Sequence, residues 1–379
     1  MPLYHNEDQA MLADSVTGFM ADEGGIKKQF RHWRDTNCKD GFGHALWKQF
    51  AEMGLTGMLA AEEDGGLAMG HVEAGIVLAE IGRNLTPSPF LTTAVMGVTA
   101  LSGGSADLRG RWLPGVIAGD SVLAVAVDEG AKHRPERIAC RAERAGNGFR
   151  LTGKKDFVVQ GASADALIVA ARTSGSDSDA DGVTLFAVPK DAAGITQNSV
   201  RLVDSAMASH VTFDGVELDG DCVIGEVDGG RALLGKVLSA GRIGAAAEQT
   251  GVAAGAFGMT TTYLKTRKQF GKLIGEFQAL QHRAAHLYSE IEIAEAVVLK
   301  AQQLLDGESE RAELMVSAAK AKAARVCNLA VREGVQMHGG VGMTDEYDIG
   351  LYMKRERALT EFMGDANYHA ERVAQLSGY

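Results

Sequence analysis

Four cations, Lys265, Arg267, Lys268 and Lys272, fall within eight residues that contain no acid, and Phe270 stands among them. A guanidinium offers a planar fork of donors that suits phosphate and pyrophosphate, so a small anionic ligand would be met here. The rest of the chain leans the other way: 38 Lys+Arg against 49 Asp+Glu leave a net charge of −11. With no long basic block, a protein that coats nucleic acid is excluded. A second segment of interest is Gln336-Met-His-Gly339-Gly340. A plain helix C-cap explains Gly339 there.

Other chemistries lack their residues. No GxGxxG follows a strand, no GxxxxGKS/T or GxSxG occurs, and HExxH is absent. Cys38, Cys140, Cys222 and Cys327 lie far apart without CxxC spacing, which predicts reduced thiols and no zinc site. Asp177, Asp179 and Asp181-Gly182 imitate half a calcium loop, but its twelfth position is Val188 where a bidentate Glu is needed, so a solvated hairpin loop is expected. The N-terminus is polar, with no apolar run long enough to span a bilayer, and a cytoplasmic protein is expected.

The elements that must hold these residues follow from periodicity. At 379 residues the chain has room for two to three domains. Asn6 with Gln9 predicts a capping box, and Leu12, Val16 and Phe19 share the face of the helix behind it. Leu46, Phe50 and Met53 repeat that spacing before Gly54, and a third helix around Val72, Ile76 and Ala79 ends before Pro87-Ser88-Pro89. From about Ser121 the period becomes that of strands: Val122–Val127, Phe149–Leu151, Phe157–Val159, Leu167–Val169, Val183–Val188 and Val211–Phe213. No helix interrupts them, which predicts an antiparallel β-domain. Beyond Val227 the pattern is helical again. Leu280, Ala284, Leu287, Ile291, Ala294 and Val298 form one stripe, Asp306-Gly307 breaks it, and a second Ala-rich helix runs from about Arg311 to Gln336, antiparallel to the first. Gly251, Gly255 and Gly258 are expected at close helix contacts. The fold class is α+β: an N-terminal helical domain (1–118), a middle antiparallel β-domain (119–226) and a C-terminal four-helix bundle (227–379).

Lys265-Thr-Arg267-Lys-Gln-Phe270-Gly271, with Gln278 and Gln281 behind it, and Gln336 to Tyr347 together closely resemble the C-terminal signatures of the acyl-CoA dehydrogenase family. Trp47 to Gly57, Thr152-Gly153-Lys154-Lys155, Gln160-Gly161-Ala-Ser-Ala-Asp165 and Phe213-Asp-Gly-Val216 resemble the family's other motifs in order. The segments around Arg267 and Phe362 to Asp365 are similar to the small subunits of heteromeric dehydrogenases for pimeloyl-CoA-like or bulky acyl-CoAs.

The resemblance implies FAD and an acyl-CoA thioester, from which a base removes the α-proton while the β-hydride passes to flavin N5. It implies electron-transferring flavoprotein as electron acceptor. It also implies that Arg267 and Phe270 reach a neighbouring subunit's FAD, at pyrophosphate and adenine, with Gln278, Gln336, Gly339 and Gly340 in the same role. Arg242 resembles the arginine near the CoA portion, a helix-surface ion pair being the plainer alternative.

Against the family pattern there are departures. The slot of the usual catalytic Glu holds Met363, and the second known base position, before Arg242, holds Gly241. The flavin and substrate loop has become Glu129-Gly130-Ala131-Lys132, the flavin-side Thr is Val159, and the Trp is Phe157. Asp365 and Asn367 stand where a Thr and a Gln are usual. Residues lent to a neighbour's FAD are kept and those serving the chain's own flavin are altered. The expectation is one subunit of a hetero-oligomer, a tetramer in the family's manner, whose partner supplies the base. Alternatives are a self-sufficient homotetramer with Glu361 or Asp365 as displaced base, a non-catalytic assembly subunit, and a flavin oxidase or monooxygenase of the same fold.

Overall fold

The computed structural model describes residues 3–379. Along the chain come helices α1 (Glu7–Phe19), α2 (His32–Asp35), α3 (His44–Glu52), α4 (His71–Asn84), α5 (Val98–Leu101) and α6 (Ala106–Ile117). Strands follow: β1 (Leu123–Ala126), β2 (Arg141–Ala145), β3 (Gly148–Val159), β4 (Ala166–Arg172), β5 (Val183–Pro189), β6 (Ile195–Arg201), β7 (Met207–Leu218) and β8 (Val223–Ile224). The long helix α7 (Arg231–Thr266) leads to a small hairpin, β9 (Lys268–Gln269) and β10 (Lys272–Leu273). Helices α8 (Gln278–Asp306), α9 (Ala312–His338), α10 (Ile349–Glu361) and α11 (Ala366–Leu376) complete it. The chain forms two compact units. A helical unit takes the described residues up to His32 with His71–Pro87 and Arg242–Tyr379, and a sheet unit takes Trp33–Gly70 and Ser88–Gly241.

In the sheet unit the strands run β6-β7-β3-β2-β4-β5-β8, with β1 on β4. Most pairs are antiparallel, as expected, but β1 and β4 are parallel from Leu123↔Ala166 to Ala126↔Val169. Every residue of β1 is buried, the condition parallel strands need, and the chain between the two carries the β2–β3 hairpin where a crossover helix would usually lie. The two strands expected at 149–151 and 157–159 are one, β3, whose register shifts twice against β7. Strands β2 and β6 escaped the apolar pattern because they are polar, β6 lying largely exposed at an edge. Phe149, Leu151, Leu167, Phe186 and Phe213 fill the core on one side. Helical structure also resumes after Pro89, through a π-helical segment at Leu91–Gly97 whose residues are all buried and therefore show no amphipathic period. The acidic 173–182 loop does join β4 to β5 as a hairpin. It wraps around Arg172, whose buried guanidinium donates to the carbonyls of Asp177 (2.9 Å) and Asp179 (3.1 Å).

In the helical unit the capping box of α1 is formed, Asn6 Oδ1 accepting from Gln9 N at 2.8 Å. Helices α8 and α9 pack antiparallel: Arg283 near the start of α8 pairs with Glu333 near the end of α9, and Glu290 with Lys322. Leu287, Ile291 and Ala294 of the predicted stripe reach a core shared with Val252 and Ala256 of α7, Val326 and Ala330 of α9, and Ile349 and Leu359 of α10. Small residues bring α4 and α7 together. A Cβ on Gly251 would collide with the Ala79 carbonyl, and one on Gly255 would lie 2.5 Å from the Arg83 carbonyl. Gly258 differs from the expectation, since nothing lies within 4 Å of its Cβ position. Among the described residues no helix is long and apolar enough to cross a membrane.

Candidate functional site

The C-terminal turn of the helical unit is built from residues 355–369 and clamped from both sides. Arg355 Nε donates to Glu248 Oε1 of α7 at 2.7 Å. From α9, the buried Lys320 donates to the Leu359 carbonyl at 3.0 Å, and burial pulls its pKa down to about 8. Helix α10 then ends, and Met363 (φ 60°) and Gly364 (φ 100°) turn the chain through left-handed backbone. Glycine is required at the second: a Cβ there would collide with the Tyr368 ring and lie 3.1 Å from His369 Nε2. His369 Nε2 bonds the Met363 carbonyl at 2.9 Å, so that nitrogen carries the proton. Arg242, 2% exposed, donates through Nη2 to Tyr368 Oη at 3.2 Å and lies 5.8 Å over that ring. The plainer alternative for Arg242, a surface ion pair, is thereby replaced by a buried guanidinium fixed against the turn. Neither Tyr368 nor His369 was singled out in the sequence; their positions just after Gly364 were the available signal.

Neither residue expected at a base position, Met363 or Gly241, offers a group that can accept a proton. Met363 is 5% exposed and presents a thioether, while a Cβ on Gly241 would lie 2.8 Å from Met96 Sδ within the sheet unit. The two nearby carboxylates are engaged. Glu361 pairs with Arg357 at 2.8 Å, and Asp365 caps α11 by accepting from Asn367 N (3.0 Å) and Tyr368 N (2.8 Å). Asn367 is exposed on the first turn of α11.

A second group lies at the far end of α7. Arg267 is exposed, and its guanidinium has no partner among the described residues. Phe270, at the tip of the β9–β10 hairpin, is 91% exposed and left-handed (φ 53°), its ring edge-on to Phe277. Lys272 lies 4.2 Å over the Phe277 ring. Tyr263 of α7 stacks on His338 at 4.4 Å, and Tyr347 closes on both, so the two sequence segments meet through these rings. Gln336, Gly339 and Gly340 are exposed above them, with open space where each glycine's Cβ would be, and Gln278 is exposed at the start of α8.

In the sheet unit, Glu129 is held by Ala139 N (2.7 Å), Cys140 N (2.9 Å) and the buried Lys155 Nζ (2.7 Å). Burial pushes the Cys140 thiol up to about 11. The Glu129-Gly130-Ala131-Lys132 loop lines a cavity of about 450 Å³ into which Lys132, Arg134, Arg137 and Lys154 also face. Phe157 is left-handed (φ 55°), and Val159 pairs with Ala208 of β7. No group of His, Cys, Asp and Glu among the described residues could hold a metal ion, including His282 and His286, exposed four residues apart on α8.

Residues 6–120, 128–216 and 228–377 match, in chain order, the models of the acyl-CoA dehydrogenase N-terminal, middle and C-terminal domains. The chain belongs to the acyl-CoA dehydrogenase family. Acyl-CoA dehydrogenase FadE12 of Mycobacterium tuberculosis is 30% identical over 358 residues, 93% of this chain and 91% of the relative. Among solved structures, a variant of the Tcur3481-Tcur3483 steroid ACAD superimposes with a TM-score of 0.88 at 29% identity, over 98% of both chains. The ChsE4-ChsE5 complex from Mycobacterium tuberculosis gives 0.89 at 25% identity over 100% of both. As an acyl-CoA dehydrogenase the chain is a flavoprotein oxidoreductase of an FAD-using family. The exposed Arg267 and Phe270 suit a diphosphate carrying an aromatic base, and the cations of the sheet-unit cavity suit phosphate. Val159 and Phe157, by contrast, offer a flavin no side-chain hydrogen bond.

Proposed function

We propose that this chain is one subunit of a hetero-oligomeric acyl-CoA dehydrogenase. It presents Arg267, Phe270, Gln278, Gln336, Gly339 and Gly340 to the FAD of a partner subunit, which supplies the catalytic Glu for α,β-dehydrogenation of an acyl-CoA thioester. The observation that carries this reading is the C-terminal turn, where a buried thioether fills the base slot and both neighbouring carboxylates are engaged. FAD, when bound, accepts the hydride; a carboxylate must take the α-proton, and none is poised to do so on this turn. Using Asp365 would uncap α11, and using Glu361 would break its pair with Arg357, which counts against a self-sufficient enzyme. Two solved neighbours are themselves named as pairs of proteins, which supports a heteromer.

Within the same reading, Arg242 contacts the CoA side of the substrate, Val159, Asp365 and Asn367 stand where the chain's own flavin would lie, a position this chain leaves without FAD, and electron-transferring flavoprotein takes the electrons. The flavin-lending surface falls in segment 227–379, the altered loop in 119–226, and the N-terminal helices in 1–118. Four free thiols support a reducing, cytoplasmic setting. The test is turnover of an acyl-CoA with an artificial electron acceptor, by the chain alone and co-expressed with a family member that carries a Glu in the base slot. Activity confined to the pair is expected; full turnover by the isolated chain overturns the reading.

A further inference from the structure

Four cations, Lys132, Arg134, Arg137 and Lys154, face the sheet-unit cavity of about 450 Å³, and the flavin-lending proposal uses none of them. Like charges brought together repel, so the groups that offset them matter. The side chains of Lys132, Arg134 and Arg137 make no hydrogen bond or ion pair among the described residues. Lys154 has only a loose 3.9 Å pair with Asp156, a carboxylate that His210 Nδ1 already meets at 2.7 Å. Glu129, the one acid among the described lining residues, is compensated by the buried Lys155. Glu136 of the same segment neither lines the cavity nor pairs with any of the four among the described residues.

The cations are presented by an ordered loop. Asp128 accepts from His133 Nδ1 at 2.8 Å and from Arg134 N at 3.0 Å. The Pro135 carbonyl accepts from Arg231 Nη1 at 2.9 Å, and Ile138 N donates to the Asp177 carbonyl at 2.8 Å. Lys132, Arg134 and Arg137 therefore hang from a short segment that is pinned at both ends and in the middle. A guanidinium held on fixed backbone can give a fork of charge-assisted hydrogen bonds to a phosphate. No aromatic side chain lines the cavity, and its uncharged lining is Gly130, Ala131 and Ala139, so a base or an alkyl chain gains little there.

We propose that this cavity binds a diphosphate, free or at the end of a nucleotide, recognised through its phosphates alone. A cation would meet four like charges. A monocarboxylate would engage one fork and leave the other cations unpaired, whereas a diphosphate carries oxygens on two phosphorus centres that several cations can share. The volume lies within the range of small-ligand pockets. A nucleic acid, by contrast, is opposed by the net charge of −11.

Calorimetric titration of the full chain at low ionic strength with pyrophosphate, ADP, FAD and acetate tests this. Saturable pyrophosphate binding is expected, with ADP within about threefold, FAD no tighter than pyrophosphate, and acetate not bound. Arg134→Ala and Arg137→Ala should each weaken pyrophosphate by about tenfold. Both residues are exposed, so the two variants should melt as the wild type does. Lys190→Met, whose native partner is Asp165 and which does not line the cavity, should change nothing. Binding lost in Arg267→Ala and kept in Arg134→Ala would place the anion on the exposed hairpin and overturn the proposal. So would no pyrophosphate binding, arginine variants without effect, or ADP or FAD tighter than pyrophosphate by about tenfold. Of these failures, only a preference for FAD would also contradict the flavin-lending reading.

Discussion

Replacing Lys155 by methionine removes one partner of a buried ion pair and leaves the other in place. The ammonium donates to Glu129 Oε1 at 2.7 Å and to the Val127 carbonyl at 2.9 Å, and its side chain is fully buried. Stripping one partner from such a pair costs about 3–5 kcal/mol, chiefly because the remaining charge has lost its compensation. Glu129 keeps two backbone donors, Ala139 N and Cys140 N, which places the expected cost near the lower end, at about 3 kcal/mol. For a unit of this size that corresponds to a fall in melting temperature of roughly 6–12 °C. The double variant Lys155→Met/Glu129→Gln removes the stranded charge and keeps an amide oxygen for the backbone donors. It should therefore recover about 1 kcal/mol or more relative to the sum of the two single variants. Urea unfolding followed by circular dichroism measures all three. A single-variant cost below about 1 kcal/mol, or strict additivity in the double variant, would refute the reasoning. Because Glu129 begins the loop that lines the cationic cavity, Lys155→Met should also weaken pyrophosphate binding there.

Other perturbations probe the remaining links. Arg267→Ala, at an exposed residue, should leave stability within about 0.5 kcal/mol of wild type while weakening FAD binding by the assembled complex about tenfold or more, read by flavin fluorescence titration. Gly364→Ala forces a side chain into left-handed backbone against Tyr368 and His369, and should cost about 1–3 kcal/mol; an unchanged melting temperature would refute the packing argument. Lys320 loses its proton near pH 8 in the folded chain and near pH 10.4 when unfolded, so the unfolded state binds more protons in between and stability rises with pH by about 3 kcal/mol across that window. The buried Cys327 thiol, pushed upward, works in the opposite direction, so the informative quantity is the difference between wild type and Lys320→Met, which lacks the rising component. Glu361→Gln and Asp365→Asn should leave turnover of the assembled complex unchanged, since neither carboxylate is the base.

The parts of the fold that were legible in the sequence are those with a clear burial period. The α8 stripe, the Asn6–Gln9 capping box and the Gly54 helix end all follow from local rules. Strand β6 and the segment Leu91–Gly97 were hidden for opposite reasons, one being almost wholly exposed and the other wholly buried. At the site, residue types pointed to Arg267 and Phe270 because charge and ring sit on a local hairpin. The Arg242–Tyr368 contact, the Lys320–Leu359 bond and the Glu129–Lys155 pair join residues far apart in sequence and leave no periodic trace.

The flavin count of the purified assembly tests the central claim most directly. If this chain lends its residues to a partner's FAD and holds none of its own, the complex with a Glu-bearing partner contains one FAD for every two chains and the isolated chain contains none. One FAD per chain, in the complex or in the chain alone, would contradict it.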